Sequence, residues 1–413
     1  MPEKIQKETS FPREQIKILL LENIHKNAHD VFAAHGYGVK ALSKAISEND
    51  LCDAIHDVHL LGIRSKTQVT AKVLESANRL LSVGCFCIGT NQIDLMAAKR
   101  LGVPVFNAPF SNTRSVAELV IAEIIALSRQ LADRSSEMHQ GQWQKTSTGC
   151  FEVRSKVLGI VGYGHIGAQV GVLAEAMGMR VLFYDIAARL PLGNAKRMDS
   201  LHELMASVDF VTLHVPETPQ TKMMLNTKAL QQMKKGSFVL NLSRGTVIDI
   251  PALAEAIRAK HLAGAALDVY PLEPESNDQV FISELQKLRN VILTPHIGGA
   301  TEEAQAAIGI EVADRLIGYI DKGVSAGAVN FPQVDLPSDP GAHRILNIHK
   351  NVPGVLKDIN KIVGDLHANI RAQVLSTDEA VGYLVMDLEK NVANDVRKAI
   401  QKLDTNIKTR ILY

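Results

Sequence analysis

Val157-Leu-Gly-Ile-Val-Gly162-Tyr-Gly164-His-Ile-Gly167 reads as a buried strand, a Gly-x-Gly-x-x-Gly turn and the opening of a helix. The next apolar strand, Arg180-Val-Leu-Phe-Tyr, ends in Asp185, 18 residues past the last glycine. Each part has a task in holding a dinucleotide. Gly162 permits the tight turn, Gly164 lets backbone approach a pyrophosphate, and Gly167 lets the helix pack close to the strand with its N-terminus facing the phosphates. Asp185 is placed to accept hydrogen bonds from the adenosine ribose, and its charge repels a 2′-phosphate. The combination predicts a βαβ unit that binds NAD rather than NADP.

Outward from this unit the chain alternates strand and helix signals. Upstream, strands are expected within Ile16–Leu21, Val58–Ile63, Leu80–Val83 and Val103–Phe106, with a helix over 28–35 that stops at Gly36. A long amphipathic helix over 115–131 begins near Asn112. Downstream, strands are expected at 209–213, 237–241, 263–267 and 290–294. A helix over 301–320 follows, with Thr301 as N-cap and Glu302 and Glu303 complementing its dipole. Two βα series imply two Rossmann-like, doubly wound α/β lobes with a cleft between them. Asn330 to Gly341, with prolines at 332, 337 and 340, is a linker. Beyond it, strand 344–348, helix 353–364, strands 369–375 and 380–387, helix 392–402 and strand 405–412 fit a ferredoxin-like βαββαβ domain.

Bulk properties narrow the function. A chain of 413 residues exceeds one ordinary core. Apolar content of 46% and charged content of 22% suit a soluble globular protein, and a formal net charge of +1 gives no reason to expect nucleic acid or an anionic membrane as partner. No apolar run reaches membrane-spanning length, and Met1–Glu8 reads as a solvated tail without a signal peptide's apolar segment, so the cytoplasm is the expected compartment. Cys52, Cys85, Cys87 and Cys150 are too sparse for a disulfide framework. Cys85 and Cys87 are expected as buried free thiols on one face of a strand, and no metal site is expected.

Three polar residues follow strands of the second series, where α/β sheets place their ligands. They are Arg244 in Asn241-Leu-Ser-Arg-Gly-Thr-Val-Ile-Asp249, Glu273 in Leu267-Asp-Val-Tyr-Pro-Leu-Glu-Pro274, and His296 in Leu293-Thr-Pro-His-Ile-Gly-Gly299. Hydride removal from a 2-hydroxy acid needs these types. A neutral imidazole takes the hydroxyl proton, and a carboxylate orients that imidazole and stabilises its cation. A guanidinium fork grips the planar substrate carboxylate, which lysine cannot do.

These segments, with Asn107-Ala-Pro-Phe-Ser-Asn-Thr-Arg-Ser-Val-Ala-Glu-Leu119 and Gly62-Ile-Arg-Ser65, resemble the D-2-hydroxyacid dehydrogenase family over nearly the whole chain. The likeness is closest to the branch that oxidises D-3-phosphoglycerate to 3-phosphohydroxypyruvate for serine biosynthesis. It implies that Arg244, Glu273 and His296 are catalytic, with His296 exchanging the proton. It implies an NAD site lined by His165, Ile166, Asp185, Leu242, Ser243 and Arg244. Asp268 would lie near the nicotinamide carboxamide, with His296, Ile297, Gly298 and Gly299 beside it. It also implies domains at 11–111 with 299–337 (substrate), 112–298 (NAD) and 341–413 (regulatory).

A phosphorylated substrate needs fixed cations, because a buried dianion without partners is prohibitive. By resemblance, Arg64, Ser65 and Asn112 contact substrate, and Lys145, just past the only tryptophan Trp143, reaches it from a neighbouring subunit. The C-terminal domain resembles a small-molecule-sensing ACT domain, whose His349, Asn351 and Asn369 would hold L-serine as a feedback effector, with Pro353 in the first turn of the next helix. The likeness further implies a homotetramer. Two other readings stay open: a dehydrogenase for another D-2-hydroxy acid, including reduction of 2-oxoglutarate, and a non-catalytic NAD-sensing scaffold.

Overall fold

The structure, a computed structural model, describes residues 10–274 and 278–413. The expected N-terminal tail, Met1–Glu8, lies outside the described residues. Two compact units appear: residues up to Ser111 together with Gln305–Tyr413, and Asn112–Ala304.

In the first unit β1 (Ile18–Leu20), β2 (Val39–Ala41), β3 (Leu60–Ile63), β4 (Ser82–Cys85) and β5 (Val105–Asn107) form a parallel sheet in the order β2-β1-β3-β4-β5. Alternate residues of β1 face opposite ways. Leu19 joins Leu51, Ile55 and Val73 from α2 (Glu48–Ile55) and α3 (Ala71–Ser76), whereas Ile18 and Leu20 join Phe32 from α1 (Lys26–Ala34). A fourth helix, α4 (Leu95–Arg100), is N-capped by Asp94. β2 was not expected from the sequence; it is three residues long and has no buried residue, so it carries no apolar signal.

The second unit opens with α5 (Thr113–Arg129) and α6 (Leu131–His139), separated by Gln130 in the left-handed conformation. Then come β6 (Val157–Val161), α7 (His165–Ala176), β7 (Arg180–Tyr184), β8 (Lys196–Arg197), α8 (Leu201–Ser207) and β9 (Phe210–Leu213). They are followed by α9 (Thr227–Gln231), β10 (Ser237–Asn241), α10 (Ile250–Arg258), β11 (Leu262–Leu267) and β12 (Val291–Leu293). The parallel sheet runs β12-β11-β10-β9-β6-β7-β8. Strand order reverses at β6, between β9 and β7, the switch point where such sheets open a crevice for ligands. The two-residue β8 is exposed and leaves no apolar signal in the sequence.

α11 (Glu302–Lys322) begins behind Thr301, whose hydroxyl accepts the Ala304 N–H at 3.2 Å, and its later turns return to the first unit. There Val312, Leu316 and Tyr319 cover the β1 face that carries Ile18 and Leu20. The C-terminal segment is β13 (His343–Lys350), α12 (Val355–Asp365), β14 (Ile370–Thr377), β15 (Val381–Leu388), α13 (Ala393–Ile400) and β16 (Asn406–Leu412). Its antiparallel sheet has the order β14-β15-β13-β16, the βαββαβ arrangement that the strand and helix pattern predicts. One face packs on α12 and α13 through Ile345, Leu384 and Met386. The other, through Leu346, Ile348 and Tyr383, joins the core beneath α11. Pro353 departs from expectation: α12 starts at Val355 behind Gly354 (φ 96°), so the proline precedes the cap rather than lying in the helix.

Polar anchors fix this segment to the rest of its unit. The buried Arg344 guanidinium donates to both Asp387 oxygens (2.7 and 2.8 Å) and to the carbonyls of Lys322, Leu336 and Pro337, using all its N–H groups. Lys99 at the end of α4 pairs with Asp378 in the β14–β15 turn at 2.7 Å. Lys408 donates to the Leu80 carbonyl, and burial pushes its amine down to about 8. Asp387→Asn leaves the Arg344 charge buried without a counter-charge. It is expected to destabilise the unit by about 3 kcal/mol, read as a lower urea midpoint in equilibrium unfolding.

Candidate active site

The fingerprint turn has the stereochemistry that its glycines suggest. Gly162 has φ 91°, and a side chain there would strike the carbonyl of His214; one at Gly167 would strike the carbonyl of Gly162. At Gly164, the N-cap of α7, a Cβ would meet nothing within 4 Å, so the helix N-terminus is open to a diphosphate. His165 and Ile166 begin that helix. Asp185 is buried at the tip of β7, where it accepts N–H bonds from Tyr163 and Ala187, each at 2.8 Å. The Arg189 guanidinium stands 3.5 Å away. The residues present fit an NAD cofactor: an open helix terminus for the phosphates and a fixed acid for the ribose.

The catalytic candidates converge at the carboxyl ends of β10, β11 and β12. Glu273 Oε2 lies 2.8 Å from His296 Nδ1, and Glu273 Oε1 accepts the Tyr270 N–H at 3.1 Å. Arg244 donates to the Ser243 carbonyl, and its charge reaches both other groups, lowering the pKa of each. Gly245 explains the close approach of the two loops, because any side chain there would collide with the Tyr270 carbonyl. The hydrogen bond to Glu273 raises the His296 pKa above 6.5 despite burial. Burial acts to raise Glu273, but the hydrogen bond and charge of His296 overcome it and hold the carboxyl below its usual range.

Asp268 organises the loop that bears the histidine. Its carboxylate accepts the Thr294 hydroxyl at 2.6 Å, the Ile297 N–H at 2.8 Å and the Gly298 N–H at 2.7 Å. His296 itself sits at φ 55°, in a region that non-glycine residues rarely occupy. Tyr270, unremarked in the sequence, shares its hydroxyl proton between the carbonyls of Leu267 (2.8 Å) and Thr294 (3.0 Å). Leu242 and Ser243 are buried between β10 and Arg244. Asn112 precedes α5 without capping it; its Oδ1 is buried without a partner, and its amide faces Gly299.

The remaining sequence candidates belong to other segments of the chain. Arg64 and Ser65 directly follow β3 in the first unit, and Lys145 is exposed in an irregular stretch next to the exposed Trp143. In the C-terminal segment His349 is buried at the end of β13 and Asn351 follows it, whereas Asn369 precedes β14. The register separates them: His349 pairs with Gly382, but Ile370 pairs with Leu388. That is six residues along β15, about 20 Å. One chain therefore does not gather the three around a single small ligand. The sulfurs of Cys85 and Cys87 lie 3.3 Å apart, but β4 ends at Cys85, so Cys87 lies past the strand, and only Cys85 of the four free cysteines is fully buried.

Fold and site together define an NAD-dependent 2-hydroxyacid dehydrogenase. Residues 121–298 match the family model for the D-isomer specific 2-hydroxyacid dehydrogenase NAD-binding domain, and residues 345–408 match an AHAS small subunit-like ACT domain. The D-3-phosphoglycerate dehydrogenase of Dictyostelium discoideum is 56% identical, with 98% of this chain and 99% of that protein aligned. The enzyme of the same name from Escherichia coli is 50% identical over the same shares of each chain. Among solved structures, D-lactate dehydrogenase from Aquifex aeolicus complexed with NAD and lactic acid superposes with a TM-score of 0.67 at 26% identity, covering 76% of this chain and all of that one. The chain belongs to the D-2-hydroxyacid dehydrogenases, in their D-3-phosphoglycerate dehydrogenase branch.

The raised pKa of His296 has a directional consequence. With His296 as the expected base, oxidation would need the neutral imidazole, and its rate is expected to climb as pH rises through that pKa. Glu273→Gln removes the charge that favours the imidazolium, and the rising limb of the kcat–pH profile for oxidation is expected to move to lower pH, with a lower plateau.

Proposed function

We propose that the protein oxidises D-3-phosphoglycerate at C2 to 3-phosphohydroxypyruvate with NAD. The carrying observation is the 2.8 Å contact between His296 Nδ1 and Glu273, which leaves Nε2 to serve as the base. Bound NAD would supply the hydride acceptor. His296 takes the C2 hydroxyl proton as the hydride departs, and Glu273 stabilises the imidazolium that forms. Arg244 clasps the substrate carboxylate through paired N–H bonds. Arg64 and Ser65 are assigned to the phosphate: the Arg64 guanidinium makes no ion pair among the described residues, and a dianion supplies the missing counter-charge. Asn112, with its unpartnered oxygen, is assigned a substrate hydroxyl. Lys145 is assigned to a neighbouring subunit's substrate, in keeping with its exposure.

His296→Asn is expected to lower kcat by about two orders of magnitude while NAD binding, read by calorimetric titration, persists. Turnover within a few-fold of the unaltered protein would remove His296 from the base role. A ratio of kcat/KM that favours D-lactate over D-3-phosphoglycerate would replace the substrate.

The reading extends to control by L-serine. His349 Nδ1 donates to Asn347 Oδ1, whose own amide donates to Asn406 and Thr409, so Nε2 carries the lone pair in the neutral ring that burial favours. Such a nitrogen accepts from an ammonium group, and Asn351 adds a polar side chain beside it. A second copy would have to bring its Asn369 for all three to meet one serine. That requirement agrees with a homotetramer joined through β14 and β16, the two edge strands of the C-terminal sheet. Four free thiols suit a cytoplasmic protein. His349→Ala is expected to abolish serine inhibition with kcat preserved; unaltered inhibition in a steady-state assay would place the effector elsewhere.

A further inference from the structure

Glu22 stands just past the end of β1, beside the residues that follow β3. It adopts φ 63° and Asn23 adopts φ 52°, two successive non-glycine residues in the left-handed region. Backbone of this kind persists where the surroundings over-determine it. The Glu22 side chain is buried, with the residue 8% exposed. Its carboxylate accepts three backbone N–H groups: Arg64 at 3.1 Å and Thr67 at 2.9 Å on Oε1, and Lys66 at 2.9 Å on Oε2. No cationic side chain pairs with it among the described residues, so amides alone compensate the charge. From the other side of the loop, the Gln92 amide donates to the Arg64 carbonyl. Within 64–67, Ser65 has the one N–H that Glu22 does not take.

We propose that Glu22 is a positioning residue for recognition of the substrate's phosphate, acting through the loop 64–67. By drawing in the amides of Arg64, Lys66 and Thr67, it fixes the loop so that the Ser65 N–H and the Arg64 guanidinium stay free for an anion. A loop ordered before binding loses less entropy on binding. A carboxylate turned toward backbone donors also has its charge spread into hydrogen bonds rather than opposed to the incoming dianion. This inference rests on the phosphate role given to Arg64 and Ser65 above.

Glu22→Gln tests it with little change of volume, because one acceptor oxygen becomes an amide that faces other donors. The KM for D-3-phosphoglycerate is expected to rise about tenfold, with kcat and the KM for NAD nearly unchanged and a smaller rise for D-glycerate, which lacks the phosphate. Equal KM changes for both substrates, or a lowered melting temperature with kinetics of the surviving enzyme intact, would reduce Glu22 to a structural anchor and overturn the proposal. Should Glu22→Gln fail to fold, Glu22→Asp keeps the charge but shortens its reach, and the same phosphate-selective rise is expected; an unaltered KM there would equally overturn it. Arg64→Ala, measured in parallel, separates the two assignments. If it leaves the phosphoglycerate KM unaltered, the loop is not the phosphate site. If it raises that KM while the Glu22 variant does not, Glu22 alone is wrongly assigned.

Discussion

The buried carboxylate of Asp268 is the constraint on which the reactive geometry depends. A carboxylate with two backbone amides and a hydroxyl on it is satisfied only while residues 294–298 keep their turn, and that turn holds His296 at a positive φ. Without it, nothing compels a β-substituted residue to stay there, because the left-handed region is unfavourable for such a side chain. The imidazole then meets Glu273 because the β10 loop, at Gly245, presses directly on the backbone of Tyr270. The placement of His296, the base proposed for the reaction, is thus the product of a hydrogen-bonding problem solved one layer below it.

A similar device recurs on the other sheet. In both places an acid at the carboxyl end of a parallel strand accepts several amides of the neighbouring loop, so the loop is fixed and its side chains stay available. The strands differ, but the physics is shared: a buried carboxylate is tolerable only with several donors, and backbone supplies donors without adding a competing cation.

Much of this was legible in the sequence because it is local. The strand–glycine–helix order at 157–167 fixes a βαβ unit, and the apolar runs at 180–184 and 237–241 announce strands with the boundaries observed. Short exposed strands such as β2 and β8 bury too little to leave a pattern. Arg244, Glu273 and His296 could be picked out because each follows a strand in a loop with proline or glycine. Glu22 could not, since its partners lie more than forty residues away and only the β1–β3 pairing brings them near. Asn369 shows the converse. The resemblance to an ACT domain implies a ligand shared with the His349 loop, but an intervening helix and the register of β15 carry it to the far end of the sheet.

The interrupted path of the first unit bears on how the chain is made. Ile18, Leu20, Leu60 and Phe106 are synthesised early, yet the helix residues that cover them, Val312, Leu316 and Tyr319, come after the whole of 112–304. At about 5–20 residues per second on the ribosome, that apolar sheet face waits on the order of ten to forty seconds for its lid. The second unit, whose segments are contiguous, can close its own core in the meantime. For this interval the nascent chain carries one finished body tethered to a half-covered sheet, the stage at which it is most exposed to aggregation.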